Sequence, residues 1–501
     1  MLALVRQSTS LAVVLLSLTT GLARADRFEP IREMIRQEIA KKKVPSIAVA
    51  VAHKGEIVWE EAFGFSDVEN QIPATPRTKY SLASISKPIT ATALMTLVES
   101  GKIQLDRPIE DYLGGARLTG HAGRTSEATV RRVAAHTSGL PLHYHFFLDG
   151  EPHIRPPMAE TIRRYGILVT RPGEKFQYAN LGYGLIEYAI EQTSGESYAD
   201  YVRENVFETL GMEDSDVPTE ADPGPHRAVR YQDGEQLPFY DFDHRGGSAV
   251  FASAHDLVRF GMFHLKMLQP DQESILPDRR IDEMQKALAH GAYDYGIGWM
   301  IYPEQGDYRL VHHGGVMGGV RTNLSLIPSE KVAVAVMANQ TSSVVDQITG
   351  DILTTLLPGY KRRDREERPG TTTERASART GTTTQRATPL PKKWAGTWRG
   401  VVHTYEGKMP VRLSIDASGK AEAQLGQQEV GQVSELKIED GYLTGRFAAE
   451  IDTPDARERQ HNVRFSLTMR GDTLSGALTA ISLPGPKLSN ALTSWMELAR
   501  Q

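Results

Sequence analysis

The sequence Ser81-Leu82-Ala83-Ser84-Ile85-Ser86-Lys87-Pro88 stands directly before an apolar run of good helix formers, residues 89–97. Pro88 lacks an N–H, and a helix tolerates it only in the opening turn, so a helix is predicted to begin close to Ser84. Ser84 and Lys87 are three residues apart and would share one helix face. A serine hydroxyl at this point lies beside free backbone N–H groups that stabilise an oxyanion.

A serine and a lysine at this spacing arise by chance about once in a chain of this length, so the pair needs support from elsewhere. The chain has 501 residues, 40% hydrophobic and 24% charged, which is ordinary for globular protein and allows two or three domains. A net charge of -5 argues against nucleic acid as a partner. Cysteine is absent, which excludes disulfides, thiolate metal sites and a cysteine nucleophile.

The first 25 residues have the pattern of a cleavable secretory signal. Arg6 is the positive flank, residues 11–22 are the apolar core, and Ala23-Arg24-Ala25 is an A-x-A cleavage site. The alternative, an anchoring helix, would need roughly 20 apolar residues, and polar residues interrupt this shorter run. We expect no stable membrane insertion, and a mature protein that is periplasmic or secreted.

Residues 26–360 are predicted to form an α+β catalytic domain. Residues 46–53 and 56–63 are β-like and are joined by a Lys54-Gly55 hairpin turn. Four more strands are predicted late in this region, and a helix closes it at 342–357. The late strand candidates are 297–302, 308–312, 321–328 and 331–339.

The remaining chain divides in two. Residues 361–391 are rich in Thr, Arg, Glu and Pro and have too few apolar residues to fold, which predicts a linker. Residues 392–501 show short alternating segments separated by glycine turns, which predicts an antiparallel barrel. Gly396-Thr397-Trp398 is similar to the lipocalin G-x-W strand. The final apolar residues suggest an amphipathic helix: Leu488, Leu492, Trp495 and Met496.

Three separated motifs complete a catalytic pattern. Ser84 and Lys87 give S-x-x-K, Tyr178 and Asn180 give Y-x-N, and His312-His313-Gly314-Gly315 stands at a predicted strand edge. In this order and spacing they resemble the serine β-lactamase and penicillin-binding-protein superfamily, in its class C-like branch of esterases and D-aminopeptidases. Similar flanks are residues 136–141, 172–173, 210–212 and 315–319.

The resemblance implies an antiparallel sheet built from both ends of the domain, with helices on both faces and a helical subdomain between. It gives Ser84 the nucleophile role, with Lys87 and Tyr178 sharing general-base and general-acid work. A lysine amine is protonated at neutral pH, so it acts as a base only where burial or a neighbouring cation lowers its pKa. The oxyanion would bind the backbone N–H groups of Ser84 and Gly315.

The resemblance also implies substrate-binding roles. Asn180 would orient the substrate and hydrogen-bond Lys87, although it is also a plausible helix N-cap. His312 takes the position of a lysine that β-lactamases use for a substrate carboxylate, with His313 and Gly314 after it. Because histidine is only partly charged near neutral pH, this favours esters, amides or N-terminal peptides over β-lactams.

Three histidines, His143, His145 and His153, lie in one predicted loop and invite a metal interpretation. No H-E-x-x-H or other ligand framework accompanies them, so a solvent-facing or pocket-lining loop is the preferred interpretation, and no metal or cofactor is expected.

The leading hypothesis is an exported serine hydrolase acting on a small-molecule ester, amide or D-amino-acid peptide. An esterase ranks first, then a D-aminopeptidase or D-alanyl-D-alanine carboxypeptidase, then a β-lactamase. The alternative of another class is a catalytically idle penicillin-binding-like protein that binds a ligand through its C-terminal barrel.

Overall fold

The structure is a computed structural model that describes residues 26–218, 226–291, 293–362, 390–483 and 488–501. The predicted signal, residues 1–25, and residues 363–389 of the predicted linker lie outside the described residues.

The first predicted domain is built on an eight-stranded sheet, whose neighbouring strands pair antiparallel. The order is β4-β5-β6-β7-β8-β1-β2-β3, so the two ends of the domain meet where β8 pairs with β1, as predicted. The strands are β1 Ser46–His53, β2 Glu56–Asp67, β3 Ile72–Pro73, β4 Asp294–Tyr295, β5 Met300–Gln305, β6 Tyr308–Met317, β7 Val320–Ile327 and β8 Val332–Ala338.

Helices and short strands fill the rest of the domain. The helices are α1 Glu29–Ala40, α2 Ser86–Glu99, α3 Val130–Ala134, α4 Met158–Tyr165, α5 Asn180–Ser194, α6 Tyr198–Val202, α7 Arg245–Ser248, α8 Ala254–His264, α9 Asp278–Met284 and α10 Val344–Leu356. Short strands are Tyr80–Ser81, Thr119–Gly120, Phe146–Leu148, Ile167–Leu168, Ser215–Asp216, Tyr231–Gln232, Glu235–Gln236, Tyr240–Phe242 and Phe251–Ala252.

The two faces of the sheet bury different cores. On one face, Val49, Leu310 and Val334 pack with α1 and α10. On the other, Ala50, Val311 and Ala335 join the core of the helical subdomain. Because side chains alternate along a strand, the even-numbered residues of β6 face α1 and α10, and the odd-numbered residues face the helical subdomain.

The C-terminal residues form a nearly closed nine-stranded antiparallel barrel, in agreement with the prediction. Its first and last strands pair, and its interior is filled by side chains such as Trp398 and Phe465. The strands are β9 Gly396–Thr404, β10 Gly407–Ile415, β11 Ala421–Leu425, β12 Gly431–Gln432, β13 Ser434–Glu439, β14 Tyr442–Phe447, β15 His461–Arg470, β16 Thr473–Ser482 and β17 Ala491–Arg500, with a short helix α11 at Pro454–Arg457.

The predicted final amphipathic helix is wrong, because residues 491–500 form β17. This strand pairs with β9 on one side and β16 on the other. Its first six residues are all buried, so apolar side chains occupy both faces and a helix-like spacing appears by coincidence.

The barrel packs directly on the catalytic domain. Arg164 and Tyr165 of α4 both bond Asp455, and Tyr442 hydroxyl donates to Glu174. Leu488 lies against Gly318, because a Cβ added to Gly318 would fall 2.1 Å from Leu488 Cδ2. Because Glu174 precedes Tyr178 and Gly318 follows β6, the barrel borders the chain on both sides of the predicted site.

Within the described ranges, every helix is too short or too polar to cross a membrane.

Candidate active site

Ser84 lies in a short 3-10 helix, Ala83–Ile85, that runs directly into α2. Ala83 has φ +48°, a left-handed conformation that is uncommon for a residue with a side chain and concentrates at functional sites. Pro88 falls in the first turn of α2, as predicted. Ser84 is partly exposed between two buried neighbours, so its hydroxyl is accessible to a substrate.

The Lys87 amine contacts residues of the first and second motifs. Its Nζ lies 3.2 Å from Ser84 Oγ, 2.8 Å from Asn180 Oδ1 and 2.9 Å from the main-chain oxygen of Gly247. The predicted pairing of Lys87 with both Ser84 and Asn180 is therefore present in the geometry.

Lys87 is fully buried. Its Nζ lies 4.8 Å from the ring centroid of Tyr178 and 5.7 Å from that of Tyr183. Burial lowers the pKa of Lys87 well below the usual lysine value. The amine can thus be uncharged and carry the lone pair that a general base requires.

Tyr178 is the second side chain in contact with Ser84, which its hydroxyl hydrogen-bonds. Burial raises the pKa of Tyr178, and the bond to Ser84 opposes this only in part, so the resting side chain is a protonated phenol. Lys87 and Tyr178 accordingly differ in resting state, the first suited to accept a proton and the second to donate one.

His136 fixes the segment that carries Tyr178. Its main-chain oxygen accepts the N–H of Gln177 at 2.8 Å, and its Nδ1 accepts the N–H of Ala179 at 3.1 Å. The two bonds hold the residues on either side of Tyr178. Sequence reasoning noted His136 only as part of a family-like flank and assigned it no role.

Asn180 is the first residue of α5, but the N-cap is Ala179 and has no side-chain capping bond. The N-cap interpretation of Asn180 is therefore corrected. Its side-chain oxygen is directed to Lys87 instead, which is the role that the resemblance implied.

The structure places His313, and not His312, on the side of the sheet that faces Lys87. His313 is fully buried, its Nε2 lies 3.0 Å from the Tyr295 hydroxyl, and burial lowers its pKa well below the usual value. His312 shares the parity of Leu310 and so belongs to the face that packs on α1 and α10. Its Nδ1 lies 3.2 Å from Ser325 Oγ. The assignment of the lysine-equivalent position to His312 is corrected for this reason.

If the third motif begins at His313 instead of His312, the glycine that belongs to it also changes. Gly315 lies against the nucleophile segment, since an added Cβ would fall 2.1 Å from Leu82 O and 3.1 Å from Ala83 Cβ. Gly314 shares the face of His312. If His313 begins H-x-G, Gly315 is its glycine, and the residue after the motif is Val316 rather than Gly315.

Two further parts of the site were missed. Gly247 acts through its main-chain oxygen, for which a sequence carries no side-chain signal. Tyr183 and Tyr295 hydrogen-bond each other beside His313. In the sequence, Tyr183 is an ordinary residue of the predicted helix and gives no sign of this contact.

The three loop histidines do not converge on one point. His145 and His153 both pair with Glu458 of the barrel, at 2.8 and 3.3 Å. His143 pairs with Asp243, which also pairs with His244, both at 2.6 Å. One donor atom from each of His143, Asp243 and His244 lies within 4.8 Å of the others, a spacing that an ion could also use. Hydrogen-bond distances to separate oxygens of one carboxylate instead fit two ring N–H donors.

Comparison with known proteins identifies the family and the fold. The model of the family described as Beta-lactamase matches residues 31–357. Protein flp of Staphylococcus aureus strain N315 is 23% identical over 345 residues, covering 67% of this chain and 68% of its own. Unguisins hydrolase ungD' of Aspergillus campestris is 26% identical over 331 residues, covering 62% and 61%. The crystal structure of SurE with D-Leu superposes with a TM-score of 0.61 at 20% identity, covering 93% of this chain and all of that one.

Proposed function

Because the chain belongs to the Beta-lactamase family, a family of hydrolases, we propose that it cleaves an ester or amide through an acyl-enzyme on Ser84. The observation that carries this proposal is the buried Lys87 Nζ, 3.2 Å from Ser84 Oγ. A serine hydroxyl becomes a strong nucleophile only when an adjacent base takes its proton.

The proton movements follow from the two resting states. As Ser84 Oγ bonds the acyl carbon, its proton passes to the neutral amine of Lys87. The phenol of Tyr178 protonates the leaving group and is itself restored by a proton from the Lys87 ammonium. Water then attacks the acyl ester and regenerates Ser84, with the same groups used in reverse.

The oxyanion is proposed to bind main-chain N–H groups of Ser84 and of β6. The resemblance implies Gly315, whereas the position of His313 favours Val316. Either donor lies on the strand segment beside Ala83, where a preorganised N–H stabilises developing negative charge.

The neutral state of His313 supports a substrate that needs no carboxylate anchor there. Burial and Lys87 lower the pKa of His313 well below the usual value, so its ring cannot offer a fixed positive charge. We therefore rank an ester first and a β-lactam last, in the order that the sequence suggested.

A second candidate is hydrolysis of a peptide or ester that carries a D-amino-acid residue. It is favoured by the SurE structure, which contains D-Leu and aligns with nearly all of this chain, including the barrel. A D-aminopeptidase or D-alanyl-D-alanine carboxypeptidase activity would fall within this candidate.

We also propose that the protein is exported to the periplasm or secreted, on the basis of the signal-like pattern in residues 1–25. Cell fractionation with N-terminal sequencing tests this. A start near Asp26 is expected, and a cytoplasmic protein that retains Met1 would contradict it.

Hydrolysis by the purified chain from Asp26 onward tests the activity. The panel is p-nitrophenyl acetate and butyrate, D- and L-alanine p-nitroanilides, and nitrocefin. Four proteins are compared: the wild type, Ser84→Ala, Lys87→Ala and Lys87→Arg. Labelling by a fluorophosphonate, located by mass spectrometry, identifies the nucleophile without knowledge of the substrate.

We expect ester turnover and Ser84 labelling in the wild type, both lost in Ser84→Ala. Both Lys87 variants should lose about 10²- to 10⁴-fold in rate, because Ala has no base and Arg stays protonated. D-selective anilide turnover would favour the second candidate, and rapid nitrocefin cleavage would favour the β-lactamase. No turnover and no labelling would support the idle binding protein.

A further inference from the structure

Glu187 is a buried acid close to the catalytic machinery that the proposed mechanism does not use. It lies on α5, seven residues and about two turns after Asn180, so the two side chains share one helix face. Its side chain is only 4% exposed. Its Oε2 accepts the main-chain N–H of Gly246 at 2.7 Å.

Gly246 stands directly before the carbonyl that contacts Lys87. Thr90 Oγ1 donates to the main-chain oxygen of Gly246 at 2.6 Å, while Gly247 O accepts from Lys87 Nζ at 2.9 Å. Glu187 of α5 thus binds the main-chain N–H of Gly246, and Thr90 of α2 binds its carbonyl oxygen. Their positions fix the following peptide, and with it the direction of the Gly247 carbonyl.

The direction of this carbonyl matters because of the valence of a neutral amine. An uncharged lysine has two N–H donors and one lone pair. Two of the three groups around Lys87 Nζ, Asn180 Oδ1 and Gly247 O, are pure acceptors. When both take an N–H, the lone pair is left facing Ser84 Oγ, as general-base chemistry requires.

The packing around Gly246 leaves little space for adjustment. An added Cβ would fall 2.8 Å from the main-chain oxygen of Tyr183 and 3.0 Å from Glu187 Cβ. At Gly247 it would fall 3.2 Å from the main-chain oxygen of Asn180. Helix α7 is therefore held closely against α5, and the Glu187 acceptor is part of a well-defined contact.

We propose that Glu187 is a positioning residue for acylation: by accepting the Gly246 N–H it sets the Gly247 carbonyl, which orients the Lys87 lone pair toward Ser84. The inference rests on the proposed function of Ser84 and Lys87 and adds a residue that none of the three motifs contains.

The protonation state of Glu187 is compatible with this role. Burial raises its pKa to about 8, so the side chain is mostly an uncharged acid at neutral pH. The hydrogen bond from the Gly246 N–H opposes this in part, Glu191 raises the pKa further, and Arg155 and Arg245 lower it. Arg245 is itself paired with Asp241. The neighbouring Tyr198 stays a neutral phenol because burial raises its pKa. An uncharged acceptor supports Gly246 without favouring the ammonium form of Lys87, which a nearby carboxylate would do.

Saturation kinetics of Ser84 labelling by a fluorophosphonate test the proposal on the full mature chain. Glu187→Gln keeps an uncharged hydrogen-bond acceptor, and Glu187→Leu fills a similar volume without an acceptor. Glu187→Asp has a side chain shorter by one methylene, so its carboxyl oxygen lies farther from the Gly246 N–H. Gln192→Leu, an exposed change on the same helix, is the control. The limiting rate of labelling and the inhibitor concentration at half saturation are measured separately, and circular dichroism checks that each variant is folded.

We expect Glu187→Gln and the control to label within about threefold of the wild-type limiting rate. Glu187→Leu and Glu187→Asp should be at least tenfold slower with half-saturation unchanged, since the lysine is misoriented while the cleft is intact. If Glu187→Leu does not fold, Glu187→Asp decides the question.

Two outcomes would overturn the inference alone: a folded Leu or Asp variant with the wild-type limiting rate, or a Gln variant as slow as Leu. A wild-type chain that is not labelled at Ser84 would instead overturn the proposed function, and this inference with it.

Discussion

The imidazole of His136 lies against the phenol ring of Tyr178, with the two ring centroids 4.3 Å apart. His136 has φ +59°, and burial lowers its pKa well below the usual value. The ring is therefore neutral, and Nδ1 is the acceptor for the Ala179 N–H. An uncharged histidine in a left-handed backbone conformation thus packs against Tyr178, the residue that we propose as the general acid.

Replacement of His136 should separate its hydrogen-bonding role from its bulk. In His136→Asn, Oδ1 can accept the Ala179 N–H, and asparagine tolerates the left-handed backbone better than most residues. His136→Leu has neither property, and a displaced Tyr178 should cost about 10²-fold in turnover. Ester hydrolysis by the two variants, at matched folded concentration, measures the difference.

The Asn variant is the matched control, and it should remain much closer to the wild type than Leu. Equal losses in Asn and Leu would show that ring packing on Tyr178, rather than the Nδ1 acceptor, is what the site needs.

Tyr178→Phe should affect substrates according to their leaving group. Because the resting phenol is protonated and bonded to Ser84, its removal withdraws a general acid. An alkyl ester or amide needs that proton and should lose about 10²- to 10⁴-fold in kcat/KM. A p-nitrophenyl ester departs as a stable anion and should lose much less. The same loss for both ester types would argue that Tyr178 serves mainly as the base.

Local motifs were predicted well because short-range geometry determines them. The proline in the opening turn, the serine and lysine on one helix face, and the hairpin at Lys54-Gly55 follow from backbone chemistry within a few residues. The barrel was also predicted, since alternation and glycine turns recur along residues 392–501.

What could not be predicted depends on contacts between distant segments. The choice between His312 and His313 is set by the register of β6 in the sheet, where a shift of one residue exchanges the two faces. Gly247 contributes a carbonyl that every residue type possesses. The last strand was mistaken for a helix because burial on both sides removes its alternation.

The contact between Arg164 and Asp455 should stabilise the docked barrel. Arg164 Nη1 lies 2.8 Å from Oδ1 and 3.1 Å from Oδ2 of a carboxylate whose side chain is 7% exposed. Arg164→Gln should lower the free energy of unfolding by about 1–3 kcal/mol, since it leaves a buried charge with fewer partners. Urea unfolding followed by tryptophan fluorescence measures this.

The neighbouring Arg163 provides the control, because it bonds Glu160 on the same helix and its side chain is 55% exposed. Arg163→Gln should change the free energy by less than about 1 kcal/mol. Equal effects of the two substitutions would mean that the Asp455 contact adds nothing to stability.

His264 should make the fold sensitive to acid. It is buried in α8, with Nε2 3.0 Å from Thr92 Oγ1, and burial lowers its pKa to about 3. An unfolded histidine has a pKa of about 6.5, so between these values the unfolded state binds the extra proton. The free energy of unfolding should therefore fall as pH decreases from about 6.5 toward 3, by up to about 1.4 kcal/mol per pH unit from this residue.

His264→Gln, which cannot take up that proton, should be less stable than the wild type near pH 8 but should show a shallower decline below pH 6.5. His290→Gln is the matched control, since the His290 side chain is 76% exposed and its removal should leave the slope nearly unchanged. Urea unfolding from pH 8 to pH 4 gives the slopes. A His264→Gln variant with the full wild-type slope would place the acid sensitivity in other groups, because the buried ring at position 264 would then contribute no proton linkage.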